Sequence, residues 1–116
     1  MGVFSYPLTL IGPEGETTVD AMVDTGAVFS FVPEDVLDRL GVPRRERRRF
    51  LLADGRASEF DLGDVLARID GREVATRCVF GDPGGPILLG AYTLEGLLLG
   101  VDPHNKRLIP VDGYLL

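Results

Sequence analysis

In the segment Val23-Asp24-Thr25-Gly26-Ala27, an ionisable side chain directly follows the apolar, β-branched run Thr17–Val23 and precedes the equally apolar Val28–Val32. A carboxylate emerging from a largely buried strand end is costly to keep unless a neighbour or a reaction uses its charge. Gly26 permits a tight turn in which backbone N–H groups point at that carboxylate, and the Thr25 hydroxyl can donate and accept at a crowded junction. Asp and Gly are also ordinary turn residues, so the competing reading of the triplet is an Asx-type turn between strands. Because the chain holds only one such triplet, any reaction needing two carboxylates requires a second copy of the chain across a twofold axis. Two carboxylates ~3 Å apart, at an effective dielectric of about 20, repel by roughly 5 kcal/mol, or about 4 pK units. Such a pair holds one proton at moderate pH. Its ionised member can act as general base on a water while the protonated member polarises a carbonyl, a scheme that uses neither metal, cofactor nor covalent nucleophile.

The remaining reactive side chains offer less. His104, the sole histidine, sits in the turn sequence Asp102-Pro103-His104-Asn105, with no Cys or Ser nucleophile near it in a motif. Cys78, the sole cysteine, lies on a predicted strand and is expected to be a small core residue. No CxxC or His/Cys cluster with zinc spacing is present. A lone cysteine that cannot close an internal disulfide points to a reducing compartment, and a cytoplasmic location is expected. Arg44, Arg45, Arg47, Arg48 and Arg49 could bind a phosphate or an acidic partner, but a charge run is more often a solvated face. The formal charge of −6 argues against nucleic acid or anionic lipid as partner. No stretch approaches the ~20 apolar residues of a membrane span. The segment Val3–Ile11, broken by Ser5, Tyr6 and Pro7 and lacking a basic leader, reads poorly as a signal peptide.

A chain of 116 residues with 45% hydrophobic content is expected to form one domain over residues 1–116. Folding alone buries roughly 65% of the extended chain's surface, which leaves apolar area that a partner subunit can cover. Fifteen glycines and eight prolines divide the sequence into short apolar runs, the pattern of a mostly β protein with one or two short helices. Strands are expected at Val3–Ile11, Thr17–Val23, Phe29–Val32, Phe50–Leu52, Phe60–Ile69, Glu73–Phe80, Leu98–Val101 and Arg107–Val111, and an apolar run Ile87-Leu88-Leu89 ends at Gly90. Turns fall at Gly12–Gly15, and at the Asp-Gly steps Asp54-Gly55 and Asp70-Gly71. Pro33, with Glu34 and Asp35 behind it, starts a helix that Gly41 stops. A second short helix is predicted over Ala91–Leu97.

With these elements in place, the sequence resembles the retropepsin-like aspartic proteases, single-domain enzymes related to one lobe of the pepsins. Three features follow that family's order. Val23-Asp24-Thr25-Gly26-Ala27 matches the catalytic loop after a β-hairpin; Ala53-Asp54-Gly55-Arg56 stands where the family has its mobile flap; Ile87-Leu88-Leu89-Gly90 before a short helix is similar to the apolar-apolar-Gly segment that supports the catalytic loop. The resemblance implies a closed β-barrel of the acid protease fold, one lobe per chain, working as a homodimer on a peptide or protein substrate. It implies catalytic roles for Asp24, Thr25 and Gly26, with Thr25 bonding to its twin across the dyad. Substrate contacts are implied for Ala27, Val28, Ala53, Asp54, Gly55, Arg56 and Leu88, and a supporting role for Leu89 and Gly90. The shared proton is the general behaviour of such dyads in that family. Many viral members carry acidic residues after the Asp-Thr-Gly-Ala and an arginine just after the second glycine, forming an ion pair that braces the dimer. Here Val28 and Ala91 occupy those places. Losing both partners leaves no stranded charge, and it makes the cleft near Val28 more apolar. Two other functions stay open at this point: a binding or dimerisation module of the same fold without proteolysis, and an adaptor acting through Arg44–Arg49.

Overall fold

Alternation of apolar side chains sets the strands, and turn residues set their ends. In the computed structural model, which describes residues 4–115, the order is β1 (Ser5–Gly12), β2 (Gly15–Val23), β3 (Ser30–Pro33), α1 (Glu34–Arg39), β4 (Glu46–Leu51), β5 (Ala57–Ile69), β6 (Arg72–Gly81), β7 (Leu88–Leu89), α2 (Ala91–Leu97), β8 (Leu99–Asp102) and β9 (Arg107–Pro110). Leu8 and Leu10 of β1 and Ala21 and Val23 of β2 point inward at period two. Asp70 and Gly71 both take positive φ, the backbone of a tight turn that joins β5 to β6.

Strands β1-β2-β7-β3-β6-β5 are hydrogen-bonded in that order, and β1 pairs back onto β5 through Thr9–Ile11 and Leu66–Arg68. The sheet therefore closes on itself as a barrel, with β4 attached outside β5 and β8–β9 forming a separate hairpin. The closed barrel and mostly β architecture expected from the sequence are what the chain adopts. The main core, with Leu8, Leu10, Val32, Leu37, Leu89, Leu94 and Leu97 among its members, fills the barrel and the space beneath both helices. A second apolar cluster of Phe60, Leu62 and Val79, flanked by Phe29, Phe31, Phe50 and Leu52, lies under the β4–β5 hairpin. Strand β5 serves both: it buries Phe60 and Leu62 on one face, then Val65, Ala67 and Ile69 on the other.

Several boundaries differ from expectation, each for a physical reason. The residue Val3, assigned to the first strand, lies outside the described residues. The third strand runs from Ser30 to Pro33, so Phe29 belongs to the loop before it. Leu98 is a left-handed C-cap (φ 55°) that ends α2, so the next strand begins at Leu99. The largest shift is β4, which starts within the arginine run at Glu46 because cross-strand carboxylates make a charged edge strand favourable. Arg47 stands opposite Asp61 in the register and bonds it at 3.0 Å, with Glu59 at 3.2 Å. Arg44 reaches Asp61, Glu34 and Asp38 at 2.8–3.0 Å and lies 4.5 Å over the Phe80 ring. The Asp61 and Glu34 carboxylates hold its guanidinium above the ordinary range, and Arg44, then Arg47, holds the Asp61 carboxyl below its own. Arg48 pairs with Glu46, and Arg45 with Asp64. Arg44, Arg45 and Arg47 thus tie α1 and the β4 segment to β5, and Arg48 is paired within β4, so four of the five arginines are already engaged with carboxylates of this chain. Cys78 is fully buried, and burial pushes its thiol up to about 12. His104 is exposed in the β8–β9 turn.

Candidate active site

Strand β2 ends at Val23, and the chain turns at once. The Gly26 N–H donates to Asp24 Oδ1 at 3.0 Å, and the Ala27 N–H to the Asp24 carbonyl at 3.1 Å, so the turn fixes the aspartate from its own backbone. Asp24 is half-buried, while Thr25 and Gly26 are exposed at the tip. Behind the turn runs β7, parallel to β2 with Met22 opposite Leu88 and Val23 opposite Leu89. The Asp24 N–H donates to the Leu89 carbonyl at 3.0 Å, which anchors the aspartate's backbone to a buried strand.

Helix α2 begins directly after β7 and has no side-chain cap. A helix start leaves N–H groups without partners inside the helix. Here the loop after Asp24 supplies them: Ala91 N–H donates to the Ala27 carbonyl at 2.8 Å and Tyr92 N–H to the Val28 carbonyl at 3.0 Å. Gly90 sits at the crossing. A Cβ there would lie 2.6 Å from the Phe29 carbonyl carbon and oxygen and 2.8 Å from the Ala27 oxygen. Three buried hydroxyls complete the support. The Gly90 N–H donates to Ser30 Oγ at 3.0 Å, Ser30 Oγ shares a proton with Thr93 Oγ1 at 2.7 Å, and Thr93 Oγ1 with Thr76 Oγ1 at 2.8 Å.

Above Asp24 opens a cleft of about 590 Å³. One wall is the β4–β5 hairpin through Phe50–Ala53, the opposite wall is the loop after β6 through Asp82, Gly85 and Pro86, and Phe31, Phe60, Val79 and Leu88 line it between them. The aromatics form a continuous chain of ring contacts, three edge-on and one tilted. Tyr92 meets Phe29 at 5.5 Å between ring centroids, Phe29 meets Phe50 at 6.3 Å, Phe50 meets Phe60 at 6.3 Å and Phe60 meets Phe31 at 5.4 Å. The hairpin is thereby packed onto the loop that follows Asp24.

Residues 9–102 match the family model described as aspartyl protease. The chain belongs to the aspartyl protease family. No curated protein sequence matches it. Among solved structures it is similar to the EIAV protease complexed with the inhibitor HBY-793, with a TM-score of 0.62 and 22% identity over 80% of this chain and 86% of that one. It is similar too to the retroviral protease-like domain of Ddi1 from Leishmania major (TM-score 0.58, 20% identity, 95% and 89% covered). The simian foamy virus (mac) protease also matches (TM-score 0.54, 21% identity, 77% and 91% covered). At these identities the likeness is one of fold, and that fold is the retropepsin-like one.

Of the residues singled out from the sequence of this family member, Asp24, Gly26, Ala27, Val28, Ala53 and Leu88 meet in the one cleft. Leu89 and Gly90 lie buried behind the turn. Thr25 does not line the cleft of a single chain, nor do Asp54, Gly55 and Arg56 at the hairpin tip. There Asp54 accepts the Arg56 backbone N–H at 2.9 Å and its Nε at 2.6 Å, and that pairing holds the Asp54 carboxyl below its ordinary range. Asp54 and Arg56 are therefore committed to shaping the turn rather than to contacts across the cleft. Sequence reasoning missed Phe29, Phe31, Phe50, Phe60, Asp82 and Pro86. The spacing of Phe29 and Phe31, two apart, suggested one shared side of the chain, but not whether that side meets core or cleft.

The hydroxyl chain predicts a measurable dependence. Thr93→Val keeps the shape of a fully buried side chain but leaves the Ser30 and Thr76 hydroxyls without their shared partner, and is expected to cost about 2 kcal/mol in urea unfolding. Thr93→Ser keeps the hydroxyl and loses one methyl, at about 1 kcal/mol. If the valine variant proved the milder of the two, the hydroxyl chain would not be a support.

Proposed function

We propose that this chain is a homodimeric aspartic endopeptidase in which one Asp24 from each subunit shares a proton and activates water against a peptide carbonyl. The observation that carries this reading is the setting of Asp24: a half-buried side chain, fixed by the Gly26 N–H, lining a largely apolar cleft in a chain of the aspartyl protease family. In this scheme the ionised Asp24 takes the proton of the water and its protonated twin hydrogen-bonds the carbonyl oxygen that becomes anionic. Ala27, Val28 and Leu88 line the path of the substrate. Thr25, exposed at the tip, bonds to its twin, and the Ala53–Arg56 turn closes over the peptide from outside.

The homodimer is supported by apolar surface beside the turn. Val28 is 57% exposed and Tyr92 48% exposed, and the two are joined by the Tyr92 N–H bond to the Val28 carbonyl. Apolar side chains grouped in this way favour a partner surface. Packing of this kind takes the place of the ion pair that the viral resemblance supplied and that Val28 and Ala91 cannot form.

The test is cleavage of a peptide library from acidic to neutral pH, followed across a dilution series. Because each chain brings half of the dyad, activity per chain is expected to fall in proportion to concentration below the dimer dissociation constant, in step with the dimer fraction from analytical ultracentrifugation. Activity per chain that stays constant while the protein sediments as a monomer would rule the shared dyad out.

A further inference from the structure

Asp82 follows β6 and lines the same cleft as Asp24; among the described residues that line it, these two are the ionisable side chains. Other turn aspartates are engaged within the chain: Asp54 by Arg56, Asp70 by the Tyr6 hydroxyl, Asp102 by Asn105 and Arg107. Asp82 contributes only its backbone carbonyl, which accepts the Gly85 N–H at 3.0 Å; its carboxylate has no hydrogen bond or ion pair among the described residues. The carboxylate is exposed, on a loop whose backbone is restricted by Pro83 and Pro86. Beside it the surface is apolar. Gly81 lies flat against the Phe31 ring, and Phe31, Pro86 and Leu88 face the same space.

A side chain complementary to this corner has an apolar stem and a cationic tip. Lysine and arginine fit that description, because their methylenes lie along apolar surface while the charged head reaches a polar group. Arginine fits better, since its planar guanidinium can bond a carboxylate through two N–H groups and stack on an aromatic ring. We propose that Asp82 is a specificity-determining residue, and that the substrates are peptides carrying an arginine or lysine within an otherwise apolar stretch; this rests on the protease reading above. An acidic side chain at the same position is disfavoured by the same charge.

The experiment is a positional peptide series around an apolar core, with arginine, norleucine or glutamate placed at each position in turn, and kcat/KM measured at low salt. At one position the wild type is expected to favour arginine over norleucine about fivefold, the scale of an exposed ion pair, and added salt shrinks the ratio. In Asp82→Asn that ratio falls to about 1, and in Asp82→Lys the preference turns to glutamate. A ratio that Asp82→Asn leaves unchanged, or the lack of any position favouring arginine, overturns the proposal. Should no peptide be cleaved, the protease reading is what fails. Anisotropy measurements of the same labelled peptides on the Asp24→Asn protein, with Asp82 intact or replaced, then decide the role of Asp82 from affinity alone.

Discussion

Asp24→Asn is expected to remove peptide cleavage by at least roughly 10³-fold while the protein still folds and dimerises, because the amide can neither accept the proton of the water nor share one across the dyad. The substitution is nearly isosteric. Its side-chain oxygen can still accept the Gly26 N–H that now bonds Asp24 Oδ1 at 3.0 Å, and the backbone bond from Asp24 to the Leu89 carbonyl is untouched. The thermal midpoint is therefore expected within a few degrees of the parent. Mixing gives a sharper result. On the proposed shared dyad each working site takes one Asp24 from each chain, so an excess of Asp24→Asn chains should poison the wild type by forming inactive mixed dimers. Activity that persists in the pure variant, or that falls with added variant only by simple dilution, would falsify the shared dyad.

Gly90→Ala is expected to be strongly destabilising and to disable the site behind the Asp24 turn. At φ −91° and ψ 173° the glycine occupies a conformation open to any residue, so the penalty is one of space alone. The new methyl would stand 2.6 Å from the Phe29 carbonyl and 2.8 Å from the Ala27 oxygen, and these are backbone atoms that cannot swing aside. Relief requires α2 and β7 to move away from the Asp24 turn, which strains the Ala91 and Tyr92 N–H bonds to it and the Gly90 N–H bond to Ser30. Overpacking of this kind costs about 3 kcal/mol, a fall of roughly 12 °C in Tm at this chain length. Cleavage should be lost at temperatures where the variant is still folded, because the displaced segment is the one that positions Asp24. Gly96→Ala, on the same helix, is the control: its nearest contact is the Val74 side chain at 3.1 Å, and gained helix propensity offsets the crowding. Equal midpoints for the two variants would show that the Gly90 crossing does not brace the site.

Periodicity and turn chemistry carry most of the one-dimensional order. The Asp54-Gly55 and Asp70-Gly71 steps mark hairpins, and Pro33, Glu34 and Gly41 frame α1, because these residues act on the backbone within a few positions of themselves. Boundaries shifted where a distant partner decided them. Strand β4 extends into an arginine run only because Glu59 and Asp61 of β5 stand across from it. The same limit applies to the site. Asp24 and Gly26 could be singled out from their local setting, whereas the Ser30, Thr76 and Thr93 hydroxyls come from three separate segments. Nothing near any of them in sequence announces that they converge.

The sequence by itself determined the candidate catalytic turn: a single carboxylate at a strand end, followed by a glycine that lets the backbone bond it, and a distant apolar-apolar-Gly segment to stand behind it. Only the tertiary structure decided which faces became cleft and which became core. That choice depends on the barrel closing through β1 and β5 and on β5 burying opposite faces in its two halves, so that Phe31, Phe50 and Phe60 line the space above Asp24 and Asp82 comes to its rim. Local propensity specifies the path of a strand; what its side chains meet is set by closure of the sheet.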